Sequence, residues 1–144
     1  MTSVVSSTGL LVYRKNSDGK TELLVRFRAS DRTPVYSTPF RDLEPDQTAI
    51  DCAQRMGAAS LGLDLTERDL NLKESVLINS TGKPKKVRVF LVRSTPQFEA
   101  LAQREDVRGW KYAFIPLSSL HSVWLSPELE ASKEALKFAL ASLG

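Results

Sequence analysis

The sequence predicts an α/β fold in which a mixed β-sheet lies between helices, an α/β/α sandwich. Two observations support this prediction. Apolar segments with strand and helix periodicity follow one another as strands, helix, strands, helix, an order that suits a layered α/β architecture. The chain also has 144 residues, 42% of them hydrophobic, with no internal repeat or linker. That length and composition suit one hydrophobic core, so we expect one domain over residues 1–144.

A β-hairpin is predicted to open the chain. Val4–Arg14 is apolar and β-branched, Asn16–Gly19 is a turn sequence, and Glu22–Arg28 returns as a second strand. A polar loop over residues 29–36 and an irregular segment with two prolines over 37–46 follow. The first half of the chain therefore leads from a hairpin, through a long connection, to the first helix.

The first helix is predicted over Thr48–Leu61. Its apolar residues at helical spacing are Ala49, Cys52, Ala53, Met56 and Ala59. Gly57 inside this helix costs about 1 kcal/mol relative to alanine, so we expect close packing to compensate. Asp51 lies four residues before Arg55, a spacing that favours an ion pair on the helix surface.

The second half of the chain alternates between strands and helix. Strands are predicted over Asp69–Asn79, Lys86–Arg93 and Trp110–Ile115, with a polar loop or short helix over 94–108. Val87, Val89 and Leu91 share one strand face. Ser126-Pro127-Glu128 then begins a helix as N-cap, first residue and first-turn acid. The apolar face of that helix is Leu129, Leu136, Ala139, Leu140 and Leu143.

The composition excludes several classes of site. Cys52 is the only cysteine and His121 the only histidine, so the chain has no internal disulfide and we expect no Cys/His zinc site.

No apolar run approaches the roughly 18 residues of a membrane span, and the N-terminus lacks the basic start of a targeting signal. We expect a soluble intracellular, cytoplasmic protein. The net charge of +3 is compatible with an anionic partner.

The segment from Arg41 to Leu63 resembles the Nudix box, G-x5-E-x7-R-E-U-x-E-E-x-G-U, where U is a bulky aliphatic residue. All 23 positions align without a gap. Arg55 matches the arginine of the box, Gly62 and Leu63 match its last two positions, and Glu44-Pro45 matches a common pair in its loop. The resemblance implies a loop followed by a helix.

The wider chain is most similar to the asymmetrical bis(5'-nucleosyl)-tetraphosphatases, the Ap4A hydrolases. The similar segments are TGLLVYRK, LLVRFRAS, GKPKKVRVFLV, the late strand GWKYAFIPLSSL and the C-terminal helix. The resemblance implies a Nudix-like α/β/α sandwich. It also implies an activity, because members of that family cleave nucleoside diphosphates linked to another group with divalent ions, usually magnesium.

The positions that would bind magnesium differ from the family pattern. Arg41 stands for the loop glycine and Gln47 for the loop glutamate. Met56, Ala59 and Ser60 stand for the three remaining glutamates. Magnesium prefers oxygen ligands in octahedral geometry, so we expect no cofactor and no hydrolysis, with magnesium relevant only to residual activity. Glu44 and Asp106 are weak candidates for a relocated metal site.

Without those carboxylates, the basic residues around the site are candidates for metal-free phosphate binding. The resemblance places the lysines of the Lys-Pro-Lys loop near polyphosphate, and Arg26 and Arg28 share one strand face. Each basic residue is also explained by solvation alone, and the two aromatic candidates by packing in the core. The candidate ligand-binding residues are Arg26, Arg28, Tyr36, Phe40, Arg41, Lys83, Lys85 and Lys86.

Three hypotheses of function remain open. The chain binds a nucleotide or a 5'-phosphorylated RNA end without hydrolysing it, in which case Arg55 has only a structural role. Alternatively, it is an interaction subunit of a larger assembly, such as a ribonucleoprotein. Finally, it is a hydrolase with relocated metal ligands. In the first two hypotheses the protein has no catalytic activity. Fold alone does not decide among them.

Overall fold

The computed structural model describes residues 5–28, 30, 32–66, 70, 75–79, 86–104 and 109–142. Its strands are β1 (Val5–Lys15), β2 (Thr21–Arg28), β3 (Val35–Tyr36), β4 (Phe40–Asp42), β5 (Ser75–Asn79), β6 (Lys86–Arg93), β7 (Trp110–Pro116) and β8 (Trp124–Leu125). Its helices are α1 (Ala49–Met56), α2 (Pro96–Ala102) and α3 (Pro127–Ser142), with a π-helical turn over Gly57–Leu61 and a 3₁₀ helix over Leu117–His121.

The larger sheet is mixed, as predicted, and β1 lies at its centre. Within the described residues the strand order is β5-β6-β1-β2-β7. β1 runs parallel to β6, and the neighbouring pairs β1–β2, β2–β7 and β5–β6 are antiparallel. β4 pairs with β1 only over Ser7–Gly9. The connection after β2 therefore enters the sheet beside the first part of β1.

Two hydrophobic clusters cover the two faces of this sheet. Met56 of α1 and Phe98 of α2 pack with Leu10 and Val12 of β1 on one face. Leu129 and other leucines of α3 pack on the opposite face, among the odd-numbered residues of the central strands. The molecule is thus a sheet between two helical layers, which confirms the predicted α/β/α class. We refer to these faces as the α1 face and the α3 face.

Most predicted elements occur close to their predicted positions. The bounds of β6 match, and Val89 and Leu91 are buried on the α3 face with Val87 partly buried beside them. The Asn16–Gly19 turn forms as predicted, because Asn16 Oδ1 accepts the backbone N–H groups of Asp18 and Lys20. The helix over 96–102 takes the second of the two possibilities for residues 94–108. Val4 of the first predicted strand, residues 69 and 71–74 of the third predicted strand, and Leu143 lie outside the described part.

The first helix differs from its prediction. The α-helical part ends at Met56, and the wider π turn continues to Leu61 before Gly62 takes a left-handed φ of 68°. Ala59, predicted on the apolar face, is exposed, because the change in helix type rotates it away from the core. A Cβ atom at Gly57 would approach Leu65 Cδ1 to 2.6 Å. Packing by Leu65 therefore compensates for Gly57, as expected.

The predicted Asp51–Arg55 ion pair does not form, and three short strands add to the predicted elements. No ion pair joins Asp51 to Arg55, both of which the structure describes. Such exposed pairs contribute only a few tenths of a kcal/mol and do not hold two solvated side chains together. The strands β3 and β4 lie in segments predicted as loop and irregular structure, and β8 lies where no element is predicted. Each has only two or three residues, too few to give a recognisable alternation. Across the described segments, no helix combines the length and apolar character needed to cross a bilayer.

Candidate functional site

The loop that leads into α1 is closed by a tight turn over Glu44–Gln47. The backbone N–H of Gln47 donates to Glu44 O at 3.1 Å, and Asp46 has a φ of 64°. Pro45 before a residue with positive φ is typical of a type II turn. Gln47 Oε1 accepts the backbone N–H of Glu44 at 3.0 Å. The side chain at the position of the loop glutamate thus stabilises the loop itself.

The helix begins where the resemblance places it. Thr48 is the N-cap, and its Oγ1 accepts the backbone N–H of Asp51 at 3.1 Å. Met56 is 2% exposed and lies in the core of the α1 face, whereas Ala59 and Arg55 are exposed and Ser60 is half-buried. The thioether of Met56 is therefore committed to packing. Glu44 forms a long ion pair with Arg41, with 3.9 Å between Oε1 and Nη2.

Cys52 lies below this loop and is completely buried. Its Sγ is 3.9 Å from Arg41 O and 3.8 Å from Asp42 O. Burial raises the pKa of the Cys52 thiol above its ordinary value, and the Arg41 charge opposes that rise. A buried thiol with a raised pKa is a poor nucleophile. The arrangement fits the packing role expected for Cys52.

Arg26, Arg28 and Arg41 project from the α1 face. Arg41 stands opposite Thr8, which stands opposite Arg88 on the other side of β1. Directly opposite residues of neighbouring strands project from the same face of a sheet. Arg26 and Arg28 lie two and four residues after Leu24, which is buried in the α1-face core. The structure thus places three of the predicted phosphate-binding residues on one face of the sheet.

The guanidinium groups of Arg26 and Arg28 both stack on one indole. Their Cζ atoms lie 4.2 Å and 3.9 Å from the Trp110 ring centroid, within the range of a cation–π interaction. Among the described residues no carboxylate forms an ion pair with either arginine. Two uncompensated positive charges are therefore fixed on a partly buried aromatic ring.

Tyr36 and Phe40 lie on the other side of the sheet. Both are partly buried against the α3-face core, and Tyr36 makes an edge contact with Phe27 at 5.4 Å between ring centroids. A Cβ atom at Gly9 would lie 2.7 Å from Phe40 Cε1, so Phe40 packs directly on the β1 backbone. These contacts agree with packing in the core, the alternative to base stacking for these two rings.

The remaining predicted residues are separated from this group or lie outside the described part. Lys86 begins β6, opposite Val5 and Asn79, on the far side of β1 from Arg26. Lys83, Lys85 and Asp106 are outside the described residues, so their positions stay predictions. Ser37 and Tyr112, which face Arg26 across the sheet, were not predicted. Alternation along a strand predicts which face a residue lies on, but not which residue stands opposite it on the next strand. Ser37 and Tyr112 could therefore be identified only from the strand register.

A separate pocket of about 480 Å³ lies at the opposite end of β2, where Leu117 follows β7. Lys137 of α3 is one of its walls and also contacts the His121 ring. This pocket is formed by residues from the β1–β2 turn, the end of β7 and α3. The lining residues are Lys20, Thr21, Pro116, Leu117, Ser118, Lys137 and Ala141.

Comparison with sequence models of known families gives no match, and comparison with curated proteins gives none. Solved structures do match. A Nudix hydrolase from M. smegmatis, RenU, superposes with a TM-score of 0.66 at 16% identity, covering 96% of this chain and 87% of that one. The Ap4A hydrolase of C. elegans gives a TM-score of 0.57 at 22% identity, covering 98% and 100%.

The chain has the Nudix fold.

A third Nudix structure extends this similarity to a ligand complex. The NUDIX domain of Shewanella oneidensis NrtR, complexed with ADP ribose, matches with a TM-score of 0.53 at 11% identity over 99% of this chain and 89% of that one. Identities this low support a shared fold and leave the chemistry of the site to its own residues. In this Nudix fold, the Arg41–Leu63 segment is the loop and helix beside β1, as the resemblance implied.

Proposed function

We propose that this chain binds the 5'-phosphate portion of a nucleotide or of an RNA end, without a metal ion and without hydrolysing it. The observation that carries the proposal is the pair of guanidinium groups stacked on Trp110 without a carboxylate partner in the described structure. Charge-assisted hydrogen bonds from arginine to phosphate are among the stronger polar contacts in proteins. The ADP ribose bound by the NrtR domain shows that another Nudix domain holds a nucleotide.

The side chains at the glutamate positions of the box do not suit magnesium. Gln47 Oε1 is occupied by the Glu44 N–H, Met56 is buried in the core, and Ala59 has no ligand atom. Among the residues described, no three His, Cys, Asp or Glu side chains are grouped as metal ligands. Magnesium requires several oxygen ligands near ideal octahedral geometry, and Ser60 alone does not supply them. We therefore assign no step of this function to a metal.

A thermal-shift panel tests the proposal. Mononucleotides, dinucleoside polyphosphates and 5'-triphosphate RNA are each added in EDTA and again in magnesium. Ligand at 100 times its Kd stabilises the folded state by roughly 2.7 kcal/mol, so we expect a clear rise in Tm that is the same in EDTA. Arg28→Ala should reduce the rise, while Lys111→Ala, an exposed charge on the opposite face of β7, should not. A flat panel in both buffers would overturn the proposal.

The two other hypotheses give different results with the same ligands, when product formation is assayed beside the thermal shift. A relocated hydrolase would release product only in magnesium, and Glu44→Gln or Asp106→Asn would abolish that turnover. An interaction subunit would show no shift with any ligand. One observation favours that second role: Trp124 is 70% exposed, and its neighbour across β3 and β8, Val35, is 42% exposed. Adjacent exposed apolar side chains are common in protein–protein contacts.

A further inference from the structure

Three polar side chains form one row across the sheet on the α1 face: Ser37, Arg26 and Tyr112. Arg26 exchanges both of its backbone hydrogen bonds with Ser37, at 2.8 Å and 2.9 Å. It also stands opposite Tyr112 in the β2–β7 pairing. Because the Arg26 N–H and C=O both point towards Ser37, Arg26 and Tyr112 form a non-hydrogen-bonded pair, whose side chains approach most closely. We call these residues the polar row.

Each member of the polar row has a buried polar atom without a partner in the described structure. These atoms are Arg26 Nε, Ser37 Oγ and Tyr112 Oη. Tyr112 is only 4% exposed. Leaving a buried donor unpaired costs about 1–3 kcal/mol, and native proteins usually satisfy such atoms with protein, water or ligand. Three of them in one row indicate a place that a polar group occupies.

The chemistry of the row specifies the occupant. Arg26 Nε–H can only donate, and both hydroxyl groups can donate as well. The next residue along the same strand face, Arg28, adds a second charge on the Trp110 ring. An occupant that offers only acceptors and carries negative charge would satisfy all of these donors. A nucleobase could accept from Arg26 Nε and exchange hydrogen bonds with the hydroxyl groups, but it brings no negative charge for Arg26 and Arg28.

A neighbouring arginine provides the contrast. Arg14 also stacks on an aromatic residue of β7, with its Cζ 3.7 Å from the Phe114 centroid. Arg14 forms ion pairs with both Glu22 and Glu99. The fold thus neutralises the arginine at one end of this face with two carboxylates, and the described part of the chain offers none to Arg26 and Arg28.

The aromatic rings near the row are not free for stacking a base. The Trp110 ring already carries two guanidinium groups. Tyr36 and Phe40 lie against the core of the α3 face, across the backbone from the polar row. A ligand whose anionic group reaches Arg26 therefore meets donors and charge in the described site, with no open aromatic surface for a base.

We infer that the polar row, together with Arg28, is a phosphate-selective subsite that binds a phosphate chain without reading the attached base. This inference rests on the proposed function, since it assigns the phosphate contacts of that same site. Arg26 is only partly buried, so a small shift of its side chain that keeps the guanidinium on Trp110 opens the row to the ligand. A phosphate oxygen then accepts from Tyr112 Oη and Arg26 Nε, while Arg28 contacts the next phosphate.

Calorimetry in EDTA with the full chain tests the inference through four probes: ATP, tripolyphosphate, adenosine and citrate. We expect tripolyphosphate to bind within about threefold of ATP, and adenosine and citrate to bind at least tenfold more weakly. If ATP binds and tripolyphosphate does not, the subsite reads more than phosphate and the inference is wrong while the proposed function stands. If citrate binds as tightly as tripolyphosphate, the subsite is not selective for phosphate and the inference is wrong. If no probe binds, the inference fails, and the proposed function fails with it when 5'-triphosphate RNA also gives no thermal shift.

Variants locate the binding on the polar row. Tyr112→Phe removes one donor and keeps the ring, and a hydrogen bond to a charged group typically changes affinity by about tenfold or more. We expect that loss for tripolyphosphate with Tyr112→Phe and with Arg28→Ala, and no change with Lys111→Ala. Circular dichroism confirms that each variant is folded. Unchanged affinity in both folded site variants would show that phosphate binds elsewhere and overturn the assignment.

Discussion

Gln47 keeps the loop before α1 closed with a neutral side chain. Its Oε1 accepts the Glu44 N–H, and its own backbone N–H donates to Glu44 O. A glutamate at this position has an equivalent oxygen for the first of these bonds, so the loop shape does not require the charge. Shape and metal-binding chemistry are therefore separable at this residue. This explains how the loop can resemble a Nudix box while its side chains lack the carboxylates.

Tyr112 is the residue at which binding and stability oppose each other. Its hydroxyl is buried without a partner in the described structure, so Tyr112→Phe should raise the free energy of unfolding by about 1 kcal/mol in the absence of ligand. Urea denaturation measures this change. Tyr36→Phe is the control, because the Tyr36 hydroxyl is not among the buried unpaired atoms, and it should change stability by less than about 0.5 kcal/mol. A clear loss of stability in Tyr112→Phe would show that its hydroxyl is paired.

At the scale of elements, the long regular strands and the C-terminal helix were predictable and the interruption of the first helix was not. β6 and α3 have clear periodicity, and Pro127 marks the start of α3. In the π turn after Met56, Leu65 packs against Gly57, a contact that helical periodicity does not reveal. The short strands β3 and β8 exist because they pair with each other, which no local pattern reveals.

Gly57→Ala tests that packing. Alanine favours a helix by about 1 kcal/mol, yet its Cβ would lie 2.6 Å from Leu65 Cδ1 and 2.9 Å from Leu65 Cγ. Overpacking typically costs about 1–3 kcal/mol, so we expect a net loss of stability in urea or thermal unfolding. In a Leu65→Ala background the same substitution should be neutral or stabilising. An equal loss in both backgrounds would exclude Leu65 as the cause.

At the scale of the whole molecule, the sequence indicated which segments carry the candidate residues, but not which of those residues share a face of the sheet. The resemblance located the loop and helix, and alternation along β2 put Arg26 and Arg28 on one face. The sequence could not show that Tyr36 and Phe40 lie on the other face. That depends on how the chain crosses between β2 and β1, through the Arg26–Ser37 bridge and the pairing of Phe40 with Gly9.

The distribution of charge over the molecule predicts how salt affects binding. The net charge is only +3, so attraction to an anion depends on local arginines rather than on the whole surface. For 5'-triphosphate RNA in EDTA, we expect affinity to fall as salt rises, with a logarithmic slope of about −0.7 for each neutralised phosphate. Fluorescence anisotropy at several salt concentrations measures the slope.

Arg28→Ala should make that slope shallower by roughly 0.7, because one phosphate contact is lost. Lys111→Ala should weaken binding little and leave the slope unchanged. Affinity that is independent of salt would contradict an electrostatic site on the α1 face, whichever ligand is used.

The small strand β4 has a consequence for solubility. It covers Ser7–Gly9 on an edge of β1 that β2 leaves unpaired there, and Phe40 seals the Gly9 backbone. An uncovered edge with free N–H and C=O groups is a template for strand addition between molecules. Detachment of three residues, Phe40–Asp42, would present such an edge at the centre of the sheet. Pairing of β4 with β1 therefore also keeps this edge from pairing with a strand of another molecule.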